Sequence, residues 1–165
     1  LAKPAADRGL NRTAYERKAR SILELGMGTG QRALRLIEVA AMQNSAEQIL
    51  YTGVDPFEAR GPKEGPGLTL KEAHRLLHAT GAKIRLLPGE PCTALAAAAN
   101  TLGAFDLVVM ASSVTAEAMV EAWFFLPRIL HRDSLVLWEE KDSFRPLLPA
   151  EVETLAARRR GRKAA

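Results

Sequence analysis

Five short apolar runs, separated by stretches with helical spacing, constrain the fold of this chain more than any other feature. The runs are rich in Val, Ile and Leu and are apolar at consecutive positions, which is typical of strands covered on both faces. They occupy residues 21–25, 49–54, 83–87, 105–110 and 134–138. The helical stretches between them cover residues 31–41, 69–80, 94–101 and 116–130. The second stretch opens with Thr69 and Glu72, whose spacing of three residues is a capping-box pattern and predicts a helix start there.

This alternation predicts an α/β fold with a doubly wound, mostly parallel sheet and helices on both faces, because each crossover must return over the sheet in a right-handed sense. The chain has 165 residues, fewer than the roughly 200 that a closed eight-fold α/β barrel needs. A length of this kind suits one domain, and we expect that domain to span residues 1–157.

The positive charge of the chain is concentrated at its two ends. The formal net charge is +4. Residues 1–20 contribute +4 and residues 158–163 contribute +5, which leaves −5 for residues 21–157. A basic surface across the whole domain, as in many nucleic-acid-binding proteins, is therefore not expected. We expect residues 158–165 to be a basic, disordered tail; nucleic-acid binding through this tail is the less favoured alternative.

Cysteine content and hydropathy exclude further classes of protein. Cys92 is the single cysteine, so an intramolecular disulfide and a thiolate zinc site are excluded. No apolar run approaches the roughly 20 residues that cross a bilayer, and the first residues contain no apolar segment of the kind found in secretory signals. We therefore expect a cytoplasmic protein with no membrane partner.

A glycine-rich turn joins the first strand to the helix that follows it. Gly26 and Gly28 permit a tight turn and a close approach of the backbone to a ligand, and Gly30 permits close packing of the helix on the strand. The start of the helix offers unpaired N–H groups and the positive end of its dipole. The neighbouring Met27 is a contact residue or a packing residue.

The spacing of this turn distinguishes between two classes of ligand. The dinucleotide fingerprint G-x-G-x-x-G requires glycine at position 31, which is Gln31 here. Glu24 lies two residues before Gly26, where a carboxylate would repel a pyrophosphate but accept hydrogen bonds from an ammonium group. The pattern therefore favours a nucleoside that carries an amino acid.

The segment ELGMGTG at residues 24–30 resembles the S-adenosylmethionine loop of the class I, Rossmann-like methyltransferases. The similarity continues in order over about residues 10–140. It implies S-adenosylmethionine as cofactor and S-adenosylhomocysteine as product. It also implies cofactor contacts from Glu24, Gly26, Met27, Gly28 and Gly30.

The resemblance extends to the ends of the second and third strands. Asp55, followed by Pro56, stands where the family has an acid that holds the ribose hydroxyls; the alternative is an exposed turn residue. A carboxylate can accept hydrogen bonds from both hydroxyls of a ribose. Glu90 and Pro91 stand where the family contacts the adenine amino group, with Glu90 in place of the more usual Asp. The alternative for Glu90 is a solvated loop carboxylate.

The catalytic side and the C-terminal part depart from the family pattern. The strand at residues 105–110 is most similar to that of metal-dependent O-methyltransferases, which follow it with a metal-binding Asp; Ala111 stands there in this chain. Trp138 replaces a second metal ligand, and hard cations want several oxygen ligands, so we expect no metal. Residues 141–165 include Pro146 and Pro149, from which we expect no C-terminal hairpin. The sheet should then have about five strands, in the order 3-2-1-4-5.

Two functions are consistent with these features. The first is a small S-adenosylmethionine-dependent methyltransferase that acts on an unidentified acceptor, with catalytic residues that the sequence does not reveal. The alternative is a non-catalytic methyltransferase-like domain that binds the nucleoside or acts as a dimerising or interaction module. A homodimer is compatible with either. His74 and His78, four residues apart, are interpreted as an exposed helix face in preference to a metal site.

Overall fold

A computed structural model of the protein describes the backbone of residues 5–164 and the side chains of residues 5–158. Its centre is a six-stranded sheet in the order β3-β2-β1-β4-β5-β6. The first five strands are parallel and β6 is antiparallel to β5. The doubly wound fold and the order of its first five strands are thereby confirmed. The strands are β1 Ser21–Leu25, β2 Leu50–Asp55, β3 Lys83–Pro88, β4 Phe105–Met110, β5 Leu130–Glu140 and β6 Ser143–Leu147.

Helices cover both faces of the sheet. Helices α1, α2 and α3 pack on one side, called the first face, and α4, α5 and α6 pack on the other, called the second face. Among the described residues, no helix combines the length and the apolar composition needed to cross a bilayer. The helices are α1 Ala5–Glu16, α2 Gln31–Ala41, α3 Leu70–His78, α4 Pro91–Ala98, α5 Ala116–Ala122 and α6 Pro149–Ala164.

The central strand β1 illustrates why the runs are apolar at every position. Ile22 belongs to the core of the first face, whereas Leu23 and Leu25 belong to the core of the second. Because side chains alternate along a strand, Glu24 points to the first face with Ile22. The start of α3 is also set locally, since Thr69 and Glu72 form the capping box expected from their spacing.

The expectation of a five-stranded sheet without a C-terminal hairpin is wrong. Strands β5 and β6 form an antiparallel hairpin whose turn contains Lys141 in the left-handed region, at φ 47°. Pro146 pairs with Leu137 from the outermost strand, and an edge strand tolerates a residue without an N–H donor. The hairpin is stabilised because Phe144 packs on the first face and Leu147 on the second.

Three further segments differ from expectation. Helix α1 has no counterpart in the sequence prediction. The helix expected over residues 116–130 ends at Ala122, and a 3₁₀ turn at Leu126–Ile129, with Pro127 in its first turn, leads into β5. Residues 158–164, expected to be part of a disordered tail, continue α6 as far as Ala164. Ala165 lies outside the described residues.

Candidate functional site

A cavity of about 340 Å³ opens at the carboxyl ends of β1, β2 and β4. The strand order reverses direction between β1 and β4, and open α/β sheets bind their ligands at such a switch point. Five residues predicted from the sequence line the cavity, namely Gly26, Asp55, Pro56, Glu90 and Pro91. The cavity is also lined by polar residues that were not predicted from the sequence, namely Arg60, Lys63, Glu64, Ser113 and Thr115.

The glycine turn needs its glycines for two different reasons. A Cβ on Gly26 would lie 2.9 Å from Ser113 Oγ and 3.1 Å from Ala111 Cβ, so this position allows close contact with the end of β4. Gly28 has φ 58°, and the nearest atom to a Cβ there would be the Pro66 carbonyl oxygen at 4.0 Å. Gly28 is therefore required by its backbone conformation rather than by contact.

Asp55 fixes the glycine turn to the end of β2. Its Oδ1 accepts a hydrogen bond of 2.9 Å from the Gly28 amide, and its Oδ2 accepts one of 3.2 Å from the Phe57 amide. The same Oδ2 forms an ion pair with Arg60. Asp55 is only 2% exposed, so the alternative of an exposed turn residue is wrong.

The segment from residue 56 to residue 68 folds back over the glycine turn. Phe57 begins the reversal with φ 50°, an unfavourable region for a bulky residue, and its ring is buried in the core of the first face. The Leu68 amide donates to the Gly28 carbonyl at 3.3 Å. The Arg60 side chain crosses this loop to reach Asp55.

Glu24 is fully buried beside Tyr51, whose hydroxyl donates a 2.6 Å hydrogen bond to Glu24 Oε2. Glu24 Oε1 has no hydrogen-bond partner in the described part of the chain. Burial raises the pKa of Glu24 to about 7, although the Tyr51 hydrogen bond and the charge of Arg32 oppose this effect. The pKa of this carboxyl group is therefore close to neutral pH.

The remaining predicted contact residues lie around this turn. The Met27 side chain is buried in the core of the first face, so its packing role is observed. A Cβ on Gly30 would meet Leu76 and Leu68 at 3.0 and 3.1 Å. Gly30 therefore makes room for α3 and the loop before it, not for the strand. Glu90 is exposed at the N-terminus of α4, and its side chain makes no capping hydrogen bond.

Arg32, in the first turn of α2, ties the ends of several elements together. Its Nε pairs with Asp7 of α1 at 2.9 Å, and its Nη2 pairs with Glu139 of β5 at 2.7 Å. Glu139 Oε2 also accepts a 2.8 Å hydrogen bond from the Ser112 amide after β4. Burial would raise the pKa of Glu139, but the hydrogen bonds from Ser112 and Arg32 outweigh it and lower the pKa.

The two positions at which the resemblance would place metal ligands hold apolar side chains. Ala111 is buried at the end of β4, and the ring of Trp138 packs against that of Trp123 with centroids 5.7 Å apart. In the residues that the structure describes, no group of three or more His, Cys, Asp or Glu side chains could hold a metal ion. Both His74 and His78 are exposed on α3. Metal independence remains a prediction.

The roles of Arg60, Arg32 and Tyr51 could not be predicted from the sequence, because the partners of these residues are set by tertiary structure. Tyr51 and Glu24 are 27 positions apart, and Arg32 and Glu139 are 107 positions apart. A polar residue inside an apolar strand is the one signal that could have indicated the first pair, since a buried carboxylate needs a donor nearby.

No protein-family model matches the sequence, and no curated protein sequence matches it. Similarity is found among solved structures. A methyltransferase from Geobacter sulfurreducens is 18% identical with a TM-score of 0.57; the alignment covers 84% of this chain and 61% of that protein. This chain therefore spans about three fifths of that enzyme's length.

Two further structures extend the comparison. CalS11, a TDP-rhamnose 3'-O-methyltransferase of calicheamicin biosynthesis, is 16% identical with a TM-score of 0.65, covering 93% of this chain and 69% of CalS11. The O-methyltransferase TomG from Streptomyces achromogenes, solved with S-adenosylmethionine, is 14% identical with a TM-score of 0.62. The alignment covers 100% of this chain and 70% of TomG. From the strand order and these likenesses, the chain has the fold of the class I, Rossmann-like methyltransferases.

Proposed function

We propose that this chain binds S-adenosylmethionine in the cavity at the carboxyl ends of β1, β2 and β4 and that it is a small methyltransferase. The observation that carries this proposal is the hydrogen bond between Asp55 and the Gly28 amide. It brings the candidate ribose acceptor and the candidate turn for the methionine half to one end of the cavity.

The lining residues fit the chemical groups of this nucleoside. A volume of about 340 Å³ lies within the range of small-molecule pockets, roughly 300 to 1,000 Å³. We assign the ribose hydroxyls to Asp55 and the adenine edge to Glu90 and Pro91. We assign the methionine half to the backbone of the glycine turn, of which Gly26 lines the cavity whereas Met27, Gly28 and Gly30 are outside its lining. Pro56 completes the wall beside Asp55.

Glu24 is proposed as the acceptor for the ammonium group. Its unpartnered Oε1 supports this assignment, since a buried carboxylate oxygen without a donor is costly. Because Glu24 is fully buried, this contact requires the glycine turn to shift when the ligand enters.

Methyl transfer requires little acid–base chemistry from the chain. When bound, the sulfonium cofactor supplies a methyl group that is already activated for attack by a nucleophile. The role of this chain is then to orient the two reactants and exclude water. CalS11 and TomG are O-methyltransferases by name, which supports an oxygen acceptor on a small molecule. The acceptor itself is unidentified.

A second candidate is a domain that binds the nucleoside without transferring its methyl group. For an acceptor that has to lose a proton, Glu139 favours this candidate, because its carboxylate is already held by Arg32 and the Ser112 amide and its pKa is lowered. A carboxylate in these bonds is a poor general base. In this case the domain would serve as a dimerising or interaction module.

Ligand-dependent thermal unfolding tests nucleoside binding. At free ligand near 100 times the dissociation constant, S-adenosylhomocysteine should add about 2.7 kcal/mol to the wild-type free energy of unfolding, a rise of several degrees in Tm. We expect this rise to vanish in Gly28→Val and in Asp55→Ala, and NAD to give none. Gly103→Val is the matched control, because Gly103 has φ 74° but lies in open space outside the cavity lining.

Turnover separates the two candidates. Formation of S-adenosylhomocysteine from S-adenosylmethionine, measured over a panel of small hydroxylated acceptors with and without EDTA, should occur in wild type and be unaffected by the chelator. Binding without turnover on any acceptor would favour the non-catalytic domain. Absence of binding would refute the methyltransferase and the nucleoside-binding domain, and would leave the dimerising or interaction module.

Location and assembly belong to the same proposal. We propose a cytoplasmic protein; a homodimer is compatible with this proposal, and nucleic-acid binding through the basic residues 158–163 is the less favoured alternative. Light scattering of the purified chain measures its oligomeric state. Deleting residues 158–165 and comparing DNA retention at low and high salt tests the alternative, because phosphate contacts weaken steeply with salt.

A further inference from the structure

Arg60 forms an ion pair with Asp55, whose carboxylate is the group that the proposed function assigns to the ribose hydroxyls. Asp55 is almost completely buried, and its Oδ2 already accepts from the Phe57 amide and the Arg60 guanidinium. Its Oδ1 accepts from the Gly28 amide. With these donors in place, the face of Asp55 toward the cavity presents a cation instead of a free acceptor.

The loop from residue 56 to residue 68 holds Arg60 in this position. Arg60 Nη1 donates to the Glu64 carbonyl at 3.1 Å, and its guanidinium fills the space that a Cβ on Gly67 would occupy. The Arg60 side chain is 14% exposed, and its buried Nε has no hydrogen-bond partner in the described part of the chain. One edge of the guanidinium is therefore strongly bound while another donor remains unsatisfied.

We propose that Arg60 competes with ribose for Asp55 and thereby determines the affinity and sugar specificity of the site. This inference rests on the proposed nucleoside binding. A ribose can bind Asp55 in a bidentate manner only after Arg60 has moved away, so part of the binding free energy is used to break the ion pair. Ligands that do not use Asp55 avoid this cost. Arg60 thus lowers the affinity for ribonucleosides relative to analogues without ribose hydroxyls.

Two substitutions remove the competitor by different routes. Arg60→Ala removes the guanidinium itself. Gly67→Ala keeps every charge, but its added Cβ would overlap the Arg60 guanidinium and displace this flexible side chain from Asp55. Gly67 does not have a positive φ, so alanine is compatible with its backbone. If Arg60→Ala destabilises the fold by leaving Asp55 unpaired, Gly67→Ala still tests the inference.

Matched controls are available for both variants. Gly61→Ala lies in the same loop, and its Cβ would come no closer than 3.7 Å to the Glu64 carboxylate, so Arg60 should stay in place. Arg75→Ala removes an exposed arginine from α3, away from the cavity lining. Both controls should bind ligand as wild type does.

The experiment measures dissociation constants by calorimetry for S-adenosylhomocysteine, adenosine and 2′,3′-dideoxyadenosine. Arg60→Ala and Gly67→Ala should each bind the two ribonucleosides about tenfold or more tightly than wild type, because a charge-assisted hydrogen bond no longer has to be broken. Dideoxyadenosine should bind wild type and both variants equally. A general change in packing would alter the affinities for all three ligands alike.

Three other outcomes would overturn the inference that Arg60 competes with ribose. Unchanged or weaker ribonucleoside binding in both variants, with clear binding to wild type, would overturn this inference and leave the proposed function intact. A tenfold gain for dideoxyadenosine as well would also overturn it, because the effect would not pass through the ribose. No binding of S-adenosylhomocysteine to wild type or to either variant would overturn the inference and the proposed function together.

Discussion

The Tyr51 hydroxyl donates a 2.6 Å hydrogen bond to the carboxylate of Glu24 in the interior of the first face. Burial also raises the pKa of Tyr51, so the phenol remains protonated and acts as a donor at neutral pH. Glu24 therefore has one good donor and one unpartnered oxygen, Oε1. This pairing makes Glu24 the group through which pH should act most directly on the fold.

Glu24 should lower the free energy of unfolding as pH rises. Its pKa is about 7 in the folded chain and 4.5 as a reference, so the folded state binds more protons between these values. Stability from this group is fully present below pH 4.5 and is lost as pH rises through 7, by about 3 kcal/mol in total. Glu24→Gln should remove this contribution, so the variant should gain stability relative to wild type between pH 5 and pH 8.

Urea unfolding at pH 5 and at pH 8 measures this effect as the difference in the free energy of unfolding between wild type and Glu24→Gln. Glu38→Gln, on the exposed side of α2, is the control and should follow wild type. Parallel pH curves for wild type and Glu24→Gln would contradict the assigned shift.

Gly26→Ala should destabilise the domain because the methyl group would enter the contact with Ser113 and Ala111. We expect a loss of about 2 kcal/mol, from overpacking together with a positive φ that alanine disfavours. Gly9→Ala is the control: a Cβ on this residue of α1 meets nothing within 4 Å, and alanine should stabilise the helix by about 0.5 to 1 kcal/mol. Chemical denaturation measures both values, and equal effects would exclude a specific role for the contact.

Arg32→Ala should be costly because it leaves two partly buried carboxylates, Asp7 and Glu139, without their cation. Removing one partner of such a network costs about 3 kcal/mol. Arg35→Ala on the same helix breaks an exposed pair with Glu38 and should cost less than about 0.5 kcal/mol. The Tm of each variant gives the comparison, and a small loss for Arg32→Ala would indicate that the network contributes little to stability.

The Arg32 network also has a pH dependence of opposite sign to that of Glu24. The pKa of Glu139 is lowered in the folded chain, so its stabilising contribution is present at neutral pH and is lost as pH falls through the folded pKa. Arg32→Ala should therefore lose less stability on acidification than wild type does. An identical acid transition in both proteins would contradict this assignment.

Neighbouring leucines test whether β6 belongs to the sheet. Leu147 is 2% exposed in the core of the second face, whereas Leu148 is 64% exposed. Leu147→Ala should lower the free energy of unfolding by about 2 to 5 kcal/mol, and Leu148→Ala should change it by less than about 0.5 kcal/mol. Similar effects at the two positions would mean that β6 does not pack as described.

The sequence by itself determined the features that depend on neighbouring residues. Apolar runs covered on both faces predicted five parallel strands, because such runs can be buried only within a sheet. Gly26 and Gly28 predicted the turn after β1, and both have positive φ. The Thr69 and Glu72 spacing predicted the start of α3. In each case the pattern that supports the prediction lies within a single short segment of the sequence.

Only the tertiary structure decided which distant groups meet. Pro146 argued against a sixth strand locally, yet it is tolerated because the order of the other strands leaves β6 at the sheet edge. Asp55 was identifiable as a ligand candidate, but its pairing with Arg60 depends on how the loop from residue 56 to residue 68 returns over the sheet. Contacts of this kind arise from chain reversals and packing, so they cannot be predicted from the spacing of neighbouring residues.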